Sequence, residues 1–248
     1  MGDERDDLAT LAAVGILAAI AAALGHEAVG HAGACLATGG EVTLLTAIWF
    51  RCSPGSTLVD IAGPLGGLGT GVVGLALAAW GPRSALRLRL LGLLLGSFAG
   101  FWFFAQLVSQ VFLGRDDWSV AAGWPGGWRA AAAAGGVMGY GALVRLTWRL
   151  AERIGRGPRD RRRFLLPYAA GAVGLIACAA LRPSDGSALE MTLTLAVAPS
   201  GFVWAVTRPL PEMEMATVVQ RSWTWIAVGL AALIAYAGVF GFGVGRLA

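Results

Sequence analysis

The stretch "LATLAAVGILAAIAAALGHEAVGHAGACLATGG", residues 8–40, decides how the chain must be read. Its apolar part, about 8–37, exceeds the ~20 residues a helix needs to cross a bilayer. Gly39-Gly40 then stops the helix. Within this run lie His26, Glu27 and His31, and the chain has 2 histidines in all. Ionisable groups at membrane depth are costly, so they face a cavity, a partner or a metal.

Working outward, the same apolar character recurs. The 248 residues are 56% hydrophobic and 14% charged, where soluble domains carry roughly 25% charged residues. Further apolar runs lie at about 60–80, 88–113, 130–149, 164–181, 189–206 and 223–245. The run 189–206 is short and contains Pro199 and Gly201, so the count is six or seven spans. The fold class that follows is an all-α, polytopic transmembrane helical bundle with a short β-hairpin after the first helix. The hairpin is expected over 41–59, where "EVTLLTAIWF" favours strand and Cys52-Ser53-Pro54-Gly55 signals a turn. An open sheet edge is expensive in lipid, so the hairpin should lie at the interface or be covered by helices. No internal repeat, low-complexity linker or second domain is visible. Residues 1–248 read as a single membrane domain, with a core at about 8–120 and C-terminal helices at about 130–248.

The net charge of +4 comes from arginine alone. Arg83, Arg87 and Arg89 lie between the second and third runs. Arg145, Arg149, Arg153, Arg156, Arg159 and Arg161 to Arg163 lie between the fourth and fifth. Arginine between spans marks the cytoplasmic side, which places the N-terminus there as well. The orientation signal accounts for these arginines without nucleic acid as a partner. The acidic start "MGDERDD" is unlike the basic region of a cleaved signal. Cys35, Cys52 and Cys178 form no CxxC pair or metal-ligand spacing and read as small packing residues.

Neutral imidazole is a common zinc ligand, and a nearby carboxylate can activate water at a metal. The competing reading is a hydrogen-bonded histidine pair at the helix end. Spacing constrains the metal reading. In the zinc-protease pattern H-E-x-x-H the histidines are four apart and share a helix face. Here H-E-A-V-G-H sets them five apart, about 140° around a regular helix. A π-bulge, eased by Gly25 and Gly30, would absorb the extra residue. Alternatively Glu27 and His31, four apart, are the ligands. The metal reading with both histidines predicts that the helix widens or breaks between Gly25 and Gly30.

"HEAVGHAGACLATGGEV", residues 26–42, resembles the beginning of the site-two-type intramembrane zinc metalloproteases, especially their small bacterial branch. "AGPLGG", residues 62–67, resembles that family's Ala-Gly-Pro segment. The likeness spans roughly residues 20–120. The chain departs from the family in the extra residue of its histidine motif and in lacking Asn after Ala-Gly-Pro. The resemblance implies Zn2+ held by His26, His31 and a downstream aspartate, either Asp116 or Asp117 in "GRDDWS". Asp117 is preferred because it adjoins Trp118. It also implies that Glu27 is the general base in hydrolysis of peptide bonds of membrane-associated substrates. It further implies a multi-pass protein of the bacterial cytoplasmic (inner) membrane, surrounded by membrane lipid. "RDDW" has a second reading as an interfacial loop with an Arg-Asp pair and a Trp anchor. Asp60 is the runner-up for the aspartate ligand, but it reads first as a helix N-cap before Ile61.

Gln106, Ser109 and Gln110 fall at i, i+3 and i+4 on the third run and form one polar face. They either bind substrate and support the metal ligands or hydrogen-bond between helices. "FWFF", residues 101–104, reads as lipid-facing or packing. Two further functions are open: a non-catalytic metal-binding or client-binding membrane relative, and a helical membrane iron oxidoreductase. The second normally shows several His or Glu motifs, which this chain lacks.

Overall fold

The computed structural model describes residues 6–82, 84–154, 161–181, 187–208 and 218–245. Arg83, Arg156 and Arg159 lie outside these residues. Among the described residues, eight helices and one small sheet follow in order. Helix α1 runs Leu8–Ala37, and a two-stranded antiparallel hairpin of β1 (Glu41–Leu45) and β2 (Phe50–Ser53) comes next. Then come α2 (Thr57–Trp80), α3 (Leu86–Val111) and a 3₁₀ segment, Asp116–Gly123. Helices α4 (Gly126–Arg153) and α5 (Arg161–Ala180) follow. Helix α6, Ser187–Thr192, continues into a π turn at Leu193–Val197, and α7 spans Ser200–Thr207. Helix α8 is Trp223–Gly241.

Five of these helices, α1, α2, α3, α5 and α8, are long and apolar enough to cross a membrane. That is fewer than the six or seven spans expected, and the difference has two causes. Helix α4 is long, but its middle is rich in Ala and Gly rather than Leu and includes Arg145, which dilutes its apolarity. The run 189–206 is not one helix but is broken at Ala198–Pro199.

Small residues let the first helices approach closely. A Cβ on Gly74 of α2 would stand 2.5 Å from the Gly96 nitrogen of α3, and one on Gly92 of α3 would stand 2.6 Å from the Gly74 oxygen. Such backbone-to-backbone seams are how helices associate where the hydrophobic effect gives no preference between lipid and protein. The main core lies around Leu11, Val14, Leu90, Leu94, Phe98, Phe101, Phe164 and Phe202, all buried.

The hairpin turn sits earlier than expected. The Thr46 Oγ1 accepts from the Trp49 nitrogen at 2.8 Å and from the Ile48 nitrogen at 3.3 Å, closing the turn at Thr46–Trp49. A serine or threonine hydroxyl commonly satisfies turn backbone in this way. The Cys52–Gly55 stretch instead ends β2 and leads into α2. There Ser56, not Asp60, is the N-cap, its side chain accepting from the Val59 nitrogen. The sheet edge is covered where β1 ends: Leu45 and Val244 exchange backbone hydrogen bonds of 2.7 and 2.8 Å.

The cysteines correct the sequence reading. Cys35 at the end of α1 and Cys52 in β2 form a disulfide, while Cys178 is free and buried. They are 17 residues apart in sequence, and nothing local marks them as partners.

Two buried arginines tie the opposite end together. Arg163 Nε and Nη2 donate to the two Asp6 carboxylate oxygens at 2.8 and 2.9 Å. Arg89 Nε donates to the Ala78 carbonyl at 3.1 Å, and its Nη1 to the Arg153 carbonyl at 3.4 Å. A cation there satisfies carbonyls at the ends of α2 and α4, where the helix dipoles are negative.

Candidate metal centre

The site begins with the extra residue in H-E-A-V-G-H. Residues Gly25–Ala32 form a π-helix inside α1, with α-helix on both sides. The widened turn absorbs one residue and turns both imidazoles to the same side. His26 and His31 are buried, with ring centroids 4.9 Å apart and planes at 79°.

Glycine on α2 makes room for them. A Cβ on Gly63 would clash with His31 Nε2 and the two ring carbons beside it, and a Cβ on Gly66 would stand 2.5 Å from the Gly25 oxygen. The Ala-Gly-Pro-Leu-Gly-Gly segment thus presents bare backbone to the π turn. Helix α2 also supplies the Val59 carbonyl, 2.7 Å from His31 Nδ1. A carbonyl only accepts, so Nδ1 carries the proton and Nε2 faces the site. A hydrogen bond of this kind fixes the tautomer of a metal-ligating histidine.

The 3₁₀ segment brings in the carboxylate. Asp116 has φ 52°, a left-handed conformation uncommon for a residue other than Gly, Asn or Asp. It is exposed, and its Oδ2 lies 3.4 Å from Arg115 Nε. Asp117 points the other way. Its Oδ2 is 3.2 Å from His26 Nε2, and its Oδ1 is 3.3 Å from His31 Nε2. Of the two candidate aspartates, then, Asp117 joins the histidines and Asp116 pairs with Arg115. Burial opposes ionisation of Asp117, but hydrogen bonds and charge from both imidazoles prevail and hold its carboxyl well below the usual carboxylate range.

His26, His31 and Asp117 form a group that could hold a metal ion, with one ligand atom from each and all of these atoms within 4.8 Å of one another. Two imidazoles and a carboxylate are a donor set that divalent metals accept, zinc among them. Glu27, buried at 4% exposure, sits between the histidines in sequence.

The polar face on α3 divides. Gln106 Nε2 donates to Asp117 Oδ2 at 2.8 Å, supporting the carboxylate. Ser109 is exposed and donates to the Ala105 carbonyl of its own helix at 2.9 Å. Gln110 is half-buried beside them in the π turn at Leu107–Val111. Asp60 accepts from Ser119 at 3.4 Å and lies outside the three-residue group.

Two aromatic neighbours escaped the sequence reading. Trp102 stacks on His26 at 4.0 Å and 21°, and Phe50 of β2 stacks on His31 at 5.2 Å and 8°. Trp102 lies within "FWFF", whose composition says only that it faces lipid or packs. Nothing in the hairpin sequence points Phe50 at a histidine.

No family model matches this chain, and no curated protein or solved structure matches it either.

Proposed function

We propose that this chain is an intramembrane zinc metallopeptidase of the site-two type, hydrolysing peptide bonds of membrane-associated substrates. The observation that carries the reading is the convergence on Asp117 of His26 and His31, both turned to one side by a π-helix that also holds Glu27. Three protein ligands leave a position open for water or substrate, which is the arrangement of catalytic rather than structural zinc. Zinc bound there supplies Lewis acidity, polarising a peptide carbonyl and activating water.

The chain's own residues do the rest. Val59 and Gln106 orient His31 and Asp117, so the ligand atoms are held before metal arrives. The Trp102 and Phe50 rings flank the imidazoles and keep bulk water from them. The Glu27 carboxylate takes a proton from the attacking water and later returns it to the leaving amine, as a general base and then acid.

Two arguments orient the protein. The arginines at the start of α3, the end of α4 and the start of α5 assign that end to the cytoplasm. The disulfide belongs to the opposite end, and disulfides persist in oxidising compartments. Together they support a reading in which the metal-site end faces the non-cytoplasmic side of a bacterial inner membrane and the N-terminus lies in the cytoplasm.

The test is Glu27→Gln in the purified full chain. Elemental analysis should find zinc retained, while cleavage of a labelled membrane-embedded peptide falls about 10²–10⁴-fold. Loss of zinc in this variant would make Glu27 a ligand. Unchanged cleavage would refute the mechanism.

A further inference from the structure

We propose that the Cys35–Cys52 disulfide is a redox latch on the metal centre. Its reduction frees β2, lifts Phe50 from His31 and lets bound metal leave. This inference rests on the metal reading above and adds regulation to that site.

The latch spans the two elements that meet at His31. Cys35 lies four residues beyond His31 on α1, one helical turn away, and is fully buried. Cys52 lies two residues beyond Phe50 on β2. Side chains two apart on a strand share a face, and the burial of β2 alternates accordingly: Phe50 and Cys52 are partly covered, Arg51 and Ser53 exposed. One face of β2 thus delivers a ring to His31 and a sulfur to the same helix. The hairpin is a two-stranded sheet, marginal on its own in water. Its β1 end and turn are tied to the last helix and the residues just after it by the Leu45–Val244 bridge, by the Ala47 nitrogen donating to the Phe240 carbonyl at 3.1 Å and by the Tyr236 hydroxyl donating to the Ala47 carbonyl at 3.4 Å, while β2 meets α1 through the disulfide and the Phe50–His31 stack. Gly40 packs against both sulfurs, and a Cβ there would stand 2.6 Å from Cys52 Sγ and 2.9 Å from Cys35 Sγ.

The reductant is a small dithiol. Its thiolate attacks Cys52 Sγ, on the more accessible of the two cysteines. The S–S bond breaks and Cys35 leaves as a thiolate, which takes up a proton. The second thiol of the reductant then displaces Cys52 as a thiol, and the reductant departs as a cyclic disulfide. Two electrons pass from the dithiol to the protein.

The experiment uses the full chain in detergent, loaded with zinc, and follows metal release to a coloured chelator. Zinc content of the oxidised protein is measured first. If it is near zero, the metal reading falls and the latch with it. If zinc is present, treatment with a phosphine reductant should speed release about 10–100-fold, the scale on which supporting groups govern metal affinity. The Cys35→Ser/Cys52→Ser variant should match the reduced protein, and Cys178→Ser should match the oxidised one. Phe50→Ala should release zinc quickly even when oxidised, with reduction adding little. Equal release before and after reduction would overturn the latch while leaving the metal site intact. So would a full reduction effect in Phe50→Ala. Collapse of the helical circular dichroism on reduction would also overturn it, since the bond would then hold the fold rather than the cover.

Discussion

Helix α1 and the α6–α7 segment both contain a π turn, and they use it differently. In α1 the π turn at Gly25–Ala32 lies against bare glycine backbone and gathers His26 and His31 towards Asp117. In α6–α7 the π turn at Leu193–Val197 runs into Pro199, and the break is repaired by phenols. Tyr168 donates to the Ala196 carbonyl at 2.6 Å. Tyr140 donates to the Ala198 carbonyl at 2.8 Å and accepts from the Gly201 nitrogen at 2.8 Å. Backbone irregularity in an apolar setting needs replacement partners. In the first case the irregularity aims chemistry; in the second it is only satisfied.

The comparison breaks most visibly at a ligand. His31→Ala should reduce zinc from about one equivalent per chain to near none, read by elemental analysis, with the helical circular dichroism kept. Retention of zinc would mean that His31 is a packing residue like those of the second region.

Gly63 tests whether the α1 turn depends on bare backbone. Gly63→Ala puts a methyl group against the Nε2 edge of the His31 ring, too close to fit without a shift. It should cost about 1–3 kcal/mol as an overpacking change and weaken zinc binding in titrations. Gly69, with nothing within 4 Å of an added Cβ, is the control on the same helix. Gly69→Ala should leave zinc affinity unchanged. Equal behaviour of the two variants would show that the α2 glycines do not shape the site.

Tyr140→Phe probes the second region. It removes one partner from the Ala198 carbonyl and one from the Gly201 nitrogen, and should lower stability by about 1–3 kcal/mol in a denaturant titration. Zinc affinity should not move. A drop in zinc affinity would couple the two regions and remove the distinction drawn above.

The smallest change is expected from deleting Val29, which is 70% exposed. A π-bulge absorbs one residue without altering the helix on either side. Its removal should therefore return regular α-helix with histidines four apart, and zinc should still bind. Loss of zinc on deletion would mean that the wide turn itself sets the ligand geometry.

Much of this was legible along the chain. The apolar runs announced the long helices, because a bilayer-length segment needs no distant partner to declare itself. The five-residue histidine spacing left two readings, a helix that widens or breaks to bring both rings together or Glu27 and His31 as the pair on one face, because 100° per residue sets the histidines about 140° apart on a regular helix; the structure has the widened turn. The count of spans was less legible. Apolarity in 126–153 and 189–206 depends on dilution by Ala and Gly and on a break at Pro199, which a run of hydrophobic letters conceals.

What the sequence by itself determined is the local part: a membrane-length α1, His26, Glu27 and His31 placed along it, and a histidine spacing that a regular helix cannot bring to one face. Only the tertiary structure decided the rest. It chose Asp117 over Asp116, through a left-handed backbone at Asp116 that directs the next side chain inward. It joined Cys35 to Cys52 and laid Trp102 and Phe50 on the two imidazoles. The reason is physical: helical period and apolarity act between residues a few positions apart, whereas a ligand, a disulfide partner or a stacked ring is selected by which surfaces meet once the helices and hairpin have packed.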